Sequence, residues 1–287
     1  MKIKLLAFDS MGVRSMATLV ETSAGVFFID PGAALAPRRY NLPPHELEVR
    51  ALRGFLGDIY EALRSVDYVI ITHYHRDHYL YRAGEQEYYR GKFIYAKNMY
   101  TDINPSQKIR AHVLLRKMGV ESTAKRVVFV DGKTIELNGV KLKFSSPLPH
   151  GDCSSKLGYV LSATIIEEGY TLTHASDAQG ALCRHTLNYL QSTLHDILII
   201  SGPPTYIKHT STSSVIENLA KLVKSAKEGF TLILDHHILR DKEYKKYFNV
   251  LRSIRSDVKI LTAAEYMEVE IRQLEAYRDE LWRRSQL

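Results

Sequence analysis

Residues 71–79 read ITHYHRDHY, three histidines and an aspartate within six positions directly after an apolar run. His73, His75, Asp77 and His78 fall just beyond the carboxyl end of the strand predicted for DYVII, the edge at which open α/β sheets bind ligands. Imidazole nitrogens and a carboxylate oxygen without cysteine make an N/O donor set, which suits a catalytic zinc, manganese or iron better than a closed structural site. In extended chain, residues two apart face the same way, so His73 and His75 can grip one ion and leave Asp77 and His78 for a second. Two ions roughly 3.5–4 Å apart can share a water, lower its pKa and hold the attacking and leaving oxygens of a hydrolytic displacement. Such a centre needs further ligands from elsewhere in the chain, one of them able to bridge.

The elements around this cluster are legible. KIKLLAF, ATLVE and VFFID predict three strands, with SAG turning between the last two. The segment 43–66 places Leu52, Phe55, Leu56, Ile59 and Leu63 at helical spacing, with Pro44 at the first turn. DYVII follows, then the histidines, then a Tyr- and Arg-rich stretch and the strand KFIYA. A second half opens at TIELNGVKLKF, where Asn138-Gly139 predicts a two-residue hairpin turn. Two strands around a Glu-Gly turn come next, and then helix and strand alternate through DILIIS, the helix of TSSVIENLAKLVKSAKEG, FTLILD and two basic C-terminal helices. Ser214 and Glu217 read as a capping box, with Gly229 at the far end. The expected organisation is one domain over 1–287, built as two β-then-α halves of approximately 1–130 and 131–287.

With these motifs in order, the chain resembles the metallo-β-lactamase superfamily, whose signature is HxHxDH followed by a lone His, a lone Asp and a final His, each after a strand. SSPLPHGD offers His150, TLTHASDAQG offers Asp177, and FTLILDHHILRD offers His236 or His237. The resemblance implies that His73, His75 and His150 hold one metal, that Asp77, His78 and the final histidine hold another, and that Asp177 bridges them. For the final ligand His236 is preferred, because it directly follows the strand; His237 is the alternative, and strand alternation predicts that only one of the two reaches the site. FIDPG matches the family's early Asp motif and sets Asp30 beneath the site as a support. The implied fold is α/β, a four-layer αββα sandwich with the metals at one edge. FDSMGVRSMATLVET, IDPGAALAPRRY and DHHILRD bring the chain nearest to an archaeal group of predicted metal-dependent hydrolases.

Other residues carry weaker signals. Arg14, after the first strand, could clamp a phosphate or carboxylate. Lys208 and His209, in the Pro-rich loop SGPPTYIKHTS, could touch substrate or donate a proton to a leaving group. Cys153 reads as a small buried thiol, His174 as strand packing or support, and His45 has no supporting context. Many superfamily members place a glycine soon after HxHxDH, whereas YLYRAG intervenes here, so substrate entry is expected to be shaped differently.

Composition narrows the classes. With 45% hydrophobic and 25% charged residues the chain is an ordinary globular protein, not a disordered one. Two cysteines, neither in a CxxC pair, make no disulfide framework and fit a reducing compartment. No stretch nears the 18 or more apolar residues of a membrane span, so a cytoplasmic protein without a membrane partner is expected. The net charge of +7 tips the substrate expectation toward a phosphoester or nucleic acid. The function expected is a metal-dependent hydrolase with a metal-bridged hydroxide between two divalent ions, zinc first and manganese or iron next, Asp77 doubling as the catalytic carboxylate. The alternatives are a lactone or thioester hydrolase, or a non-catalytic metal-stabilised module that binds RNA or protein. Only 59 positions separate Asp177 from His236, too few for an inserted nuclease domain.

Overall fold

The computed structural model describes residues 1–207 and 212–285, and over 212–215 the backbone alone. Two sheets divide the chain. The first takes β1 (Lys2–Phe8), β2 (Met16–Thr22), β3 (Gly25–Ile29), β4 (Tyr68–Ile71), β5 (Phe93–Ala96) and β6 (Arg126–Phe129), in that spatial order. The second takes β7 (Thr134–Leu137), β8 (Val140–Phe144), β11 (Ala163–Glu167), β12 (Tyr170–His174), β13 (Ile197–Ser201), β14 (Thr231–Asp235) and β15 (Lys259–Leu261), ordered β15-β14-β13-β12-β11-β8-β7. A short ladder of β9 (Leu148–Pro149) and β10 (Tyr159–Val160) stands apart.

Each sheet begins antiparallel and continues parallel. β1, β2 and β3 pair as antiparallel neighbours, whereas β3 to β6 run parallel. Likewise β12 to β15 are parallel. The parallel strands are covered on both faces, which is why YVII, ILIIS and TLILD are unbroken apolar runs and not alternating ones. At the hairpin Leu137 pairs with Val140, and Asn138 and Gly139 both take positive φ, 45° and 85°, as a type I′ turn requires.

The helices are α1 (Glu46–Arg64), α2 (Pro105–His112), α3 (Val120–Thr123), α4 (Arg184–Gln191), α5 (Thr212–Ser225), α6 (Lys245–Arg252), α7 (Ala263–Tyr266) and α8 (Arg278–Arg284). Among the described residues three apolar cores give the layering. Phe27, Ile29 and Ile70 of the first sheet meet Leu142, Ile165 and Ile199 of the second between the sheets. Leu56, Ile59 and Leu63 of α1 cover the outer face of the first sheet with Ala111 of α2. Leu190, Leu219 and Leu251, from α4, α5 and α6, cover the outer face of the second. The result is helix, sheet, sheet, helix. Among the described residues no helix is long and apolar enough to cross a membrane.

Several local expectations change. α1 starts at Glu46, not at Pro44, because His45 caps it: the His45 Nδ1 accepts from the Leu47 amide at 3.2 Å, and Glu48 accepts from the His45 amide at 2.9 Å. α5 begins at Thr212, ahead of the Ser214 expected as its cap. Cys153 is exposed, not a buried thiol, and it forms a disulfide with Cys183, contrary to the expectation of two reduced cysteines. The loop between β9 and β10 carries Cys153 outward to the residue that caps α4, a meeting across 30 residues that no local spacing announces.

Candidate metal centre

Strand ends assemble the site. The IDPG turn after β3 and the histidine turn after β4 lock together first. Asp30, in the left-handed region at φ 49°, accepts from the Thr72 amide at 2.8 Å and the Thr72 hydroxyl at 2.6 Å. A Cβ on Gly32 would stand 2.1 Å from the Tyr79 amide nitrogen, so only glycine permits this approach. The turn is closed by the His78 amide donating to the His75 carbonyl at 3.0 Å. Four donors in six residues thereby face one point at the edge where β12 and β14 also end.

His73, His75, His150 and Asp177 form one group whose ligand atoms all lie within 4.8 Å of one another; Asp77, His78 and His236 form a second. Asp177 stands between them. Its Oδ2 lies 2.9 Å from the His150 Nε2, 3.5 Å from the His73 Nε2 and 3.4 Å from the His78 Nε2, while its Oδ1 lies 3.2 Å from the His236 Nε2. The His236 Nε2 is 3.6 Å from Asp77.

The far nitrogens of His73, His78 and His236 are held by partners. The His78 Nδ1 donates to Asp30 at 2.9 Å and the His236 Nδ1 to Asp9 at 2.6 Å. The His73 Nδ1 meets the Thr72 hydroxyl at 3.1 Å. Each arrangement leaves Nε2 with its lone pair directed inward. The His73 and His78 Nε2 atoms and the Asp177 Oδ1 are buried without a hydrogen-bond partner among the described residues, a state that is costly unless something else satisfies them. An N/O donor set with orphaned inward lone pairs and carboxylate-backed histidines fits divalent cations. The His150 Nδ1 lies 3.1 Å from the Gln179 amide. A histidine that gives Nε2 to a cation carries its proton on Nδ1, so Gln179 must turn its amide oxygen toward it.

Electrostatics agree with this fit. Burial would raise the Asp177 carboxyl, but His236, His237 and His78 around it hold it well below the ordinary value. Burial lowers His236, yet Asp177 and Asp9 outweigh it and raise the imidazole to about 9. His78 is raised for the same reason, by Asp177 and Asp30 against burial, whereas burial and its neighbour His78 push His73 down to about 4. Without ions, the cluster satisfies its carboxylates with protons that cations would displace.

Both terminal histidines reach the site, contrary to the expectation of one. β14 ends at Asp235, and His236 turns into the left-handed region at φ 60°, so strand alternation no longer governs its neighbour. The two rings stack with centroids 4.5 Å apart, and the His237 Nε2 is 3.9 Å from Asp177.

A cavity of about 610 Å³ opens over the cluster, walled by Arg14, Arg76, Tyr81, Arg110, Tyr206 and Arg240. Arg14 is not the free clamp expected, since Glu275 from the C-terminal segment takes it in two bonds of 2.6 Å. Lys208 and His209 lie outside the described residues. His174 packs, its Nε2 3.1 Å from the Met16 carbonyl. In YLYRAG the Tyr81 and Arg82 amides both donate to Glu85, at 2.8 and 2.6 Å, leaving Tyr81 as the part that meets the cavity. Asp9 and Arg240 were missed: buried Arg240 donates to Asp9 at 2.7 Å and its Nη2 is 4.0 Å from Asp77. The one available signal was that Asp9 follows a strand, as the ligands do.

The family model of the metallo-beta-lactamase superfamily matches residues 11–80. The UPF0282 protein of Methanopyrus kandleri is 41% identical over 295 residues, covering 98% of this chain and 99% of that protein. The metallo-beta-lactamase fold protein YhfI from Bacillus subtilis superposes with a TM-score of 0.57 at 15% identity, over 91% of this chain and 95% of its own. A diphosphatase from the PhnP family superposes with a TM-score of 0.52 at 16% identity, over 91% and 94%. At such identities the likeness is one of fold.

Proposed function

Since this chain belongs to the UPF0282 family of the metallo-beta-lactamase superfamily, we propose that it is a metal-dependent hydrolase with a two-ion centre, acting on a phosphoester. The observation that carries the reading is Asp177, whose carboxylate stands between the two sets, with Oδ2 near His73 and His150 of one and His78 of the other, and Oδ1 near His236. In this reading His73, His75 and His150 hold one divalent ion, Asp77, His78 and His236 hold the other, and zinc is the first candidate for both. Such ions supply Lewis acidity and a water of lowered pKa.

The chain's own groups do the rest. Asp77, with 16% of its side chain exposed, is the carboxylate of the cluster that opens on the cavity, and it orients the attacking water by accepting its hydrogen bond. Arg240, its charge matched by Asp9, is held with its Nη2 4.0 Å from Asp77 as an oriented N–H donor where negative charge develops on the substrate. Of the four arginines that wall the cavity, Arg14 is paired with Glu275 and Arg240 with Asp9, which leaves Arg76 and Arg110 as the uncompensated charge, while both aspartates of the wall are assigned to cations. That excess supports an anionic substrate over a neutral lactone or thioester.

The test is metal analysis of the purified protein, then turnover of chromogenic phosphodiester, lactone and thioester substrates by wild type, Asp77→Ala and Asp177→Ala. Two ions per chain with phosphodiester turnover lost in both variants is the expected result. Undiminished turnover in both variants would sink the two-ion reading. Lactone turnover without phosphodiester turnover would move the substrate class. Two ions with RNA binding and no hydrolysis would favour the binding module.

A further inference from the structure

Two arginines at the cavity mouth have no part in the centre described above. Arg76 stands between His75 and Asp77, so the turn that directs the metal donors inward sends this side chain out toward solvent. Its guanidinium carbon lies 5.1 Å from the Tyr81 ring centre. Arg82 covers the same ring at 4.7 Å, but its charge is met by Glu85 at 3.1 Å. Arg110 reaches the same rim from the last turn of α2, its Nη1 3.4 Å from the Tyr74 carbonyl. α2 is fixed there by Gln107, which accepts from the Tyr74 amide at 3.2 Å and donates to the Leu157 carbonyl at 2.8 Å.

These two guanidiniums differ from the other cavity arginines in one respect. Arg14 is neutralised by Glu275 and Arg240 by Asp9, whereas neither Arg76 nor Arg110 has a carboxylate partner among the described residues. Both line the one cavity that opens over the cluster, with Tyr81 and Leu157 in the same wall. Two like charges on one rim repel each other, and an oxyanion between them turns that repulsion into attraction and accepts their paired N–H groups.

We propose that Arg76 and Arg110 form an anion subsite at the rim, beside the metal centre, which grips a second oxyanion group of the substrate. The inference rests on the hydrolase reading and narrows it: the substrate is a phosphoester or phosphoanhydride that carries another phosphoryl or carboxylate group away from the scissile bond. Tyr81 forms the wall against which the connecting atoms lie.

Binding of non-hydrolysable probes to the metal-loaded protein tests this without any turnover. Methylenediphosphonate, phosphonoacetate and methylphosphonate are compared by calorimetry on wild type, Arg76→Gln/Arg110→Gln and Arg76→Lys/Arg110→Lys, with metal content counted afterwards. Wild type is expected to prefer one of the two probes that carry a second anionic group over methylphosphonate by about tenfold more than the Gln pair does, with the Lys pair between. Preference for methylenediphosphonate assigns the second group as phosphoryl, and preference for phosphonoacetate assigns it as carboxylate. An unchanged preference in the Gln pair, with both ions retained, overturns the subsite. Because the readout is binding, a protein that hydrolyses none of the tested esters still reports on it; a lost preference without turnover keeps the subsite and removes the hydrolase reading, and full turnover with unchanged preference does the reverse.

Discussion

Asp9 and His236 stand 227 residues apart in the chain and 2.6 Å apart in the fold, the His236 Nδ1 donating to the Asp9 Oδ2. Asp9 follows the edge strand of the first sheet and His236 follows a parallel strand of the second, so their contact exists only because the two sheets pack with those ends together. The bond fixes the tautomer that leaves the His236 Nε2 facing Asp177.

Replacing Asp9 by Asn keeps a polar neighbour but removes the charge behind His236. The affinity of the second ion is expected to fall by about 10- to 100-fold while the first is retained. Titration against a chelating dye measures both steps; loss of both ions together would contradict the separate assignment.

Asp177→Asn removes the shared carboxylate charge. The expected outcome is fewer than two ions per chain by elemental analysis and a fall in turnover of at least about 100-fold. A variant that still holds two ions with wild-type affinity would show that Asp177 does not bridge.

His236→Ala is expected to lose one ion and His237→Ala to keep both, since the His236 Nε2 is 3.2 Å from Asp177 and the His237 Nε2 is 3.9 Å away. Metal stoichiometry decides between them, and the reverse result would reassign the ligand to His237.

Above pH 6.5 the metal-free protein should lose stability as pH rises; below it His73, which burial and His78 lower from 6.5 to about 4, acts with the opposite sign, its contribution present above 6.5 and lost as pH falls through about 4. His236 is raised from 6.5 to about 9, so its contribution is fully present below 6.5 and is lost as pH climbs through about 9. Burial raises Asp235 from 3.8 to about 6, adding a contribution present below 3.8 and lost through about 6. Asp9 has the opposite sign: burial would raise it, but Arg240 and His236 bring it down to about 2, so its contribution is present above 3.8 and lost only as pH falls through about 2. Melting temperatures from pH 4 to 10 should therefore decline through the His236 window, and decline less with metal bound, because a cation replaces the proton. A metal-free melting temperature that rises between 6.5 and 9 would refute this.

The C-terminal segment is tied down through one buried pair. Arg278 is fully buried and gives Glu48 of α1 two bonds of 2.8 Å, with further bonds to the carbonyls of Ala36 and Leu42. Glu48→Gln leaves that guanidinium without its counter-charge, and urea unfolding should show a loss of about 3–5 kcal/mol. The same segment carries Glu275 to Arg14, so looser packing there should also free Arg14 at the cavity wall.

Local pattern alone made the strands and most helices legible, because each apolar run had to be covered on one or two faces. It also exposed HxHxDH, since four donors crowded after a buried strand have few other uses; His150 and Asp177 followed from the order of the family's motifs. What stayed hidden were relationships between segments. His237 reaches the cluster because His236 leaves the strand at a positive φ, a backbone event that side-chain alternation cannot foresee. Cys153 meets Cys183 because a loop between two short strands leans onto α4. Arg14, a plausible clamp in isolation, is taken by a glutamate 261 residues away.

Thus the sequence by itself determined the strands, most of the helices and the donor chemistry of the histidine turn, all of which arise from periodicity and from residue types within a few positions of one another, while the layering came from the resemblance to the family. Only the tertiary structure decided that Asp30 backs His78 and Asp9 backs His236, which arginines are neutralised and which two remain open at the mouth. Those choices depend on which strand ends and which terminal segment share one edge, and that is set by the packing of two sheets across a common core.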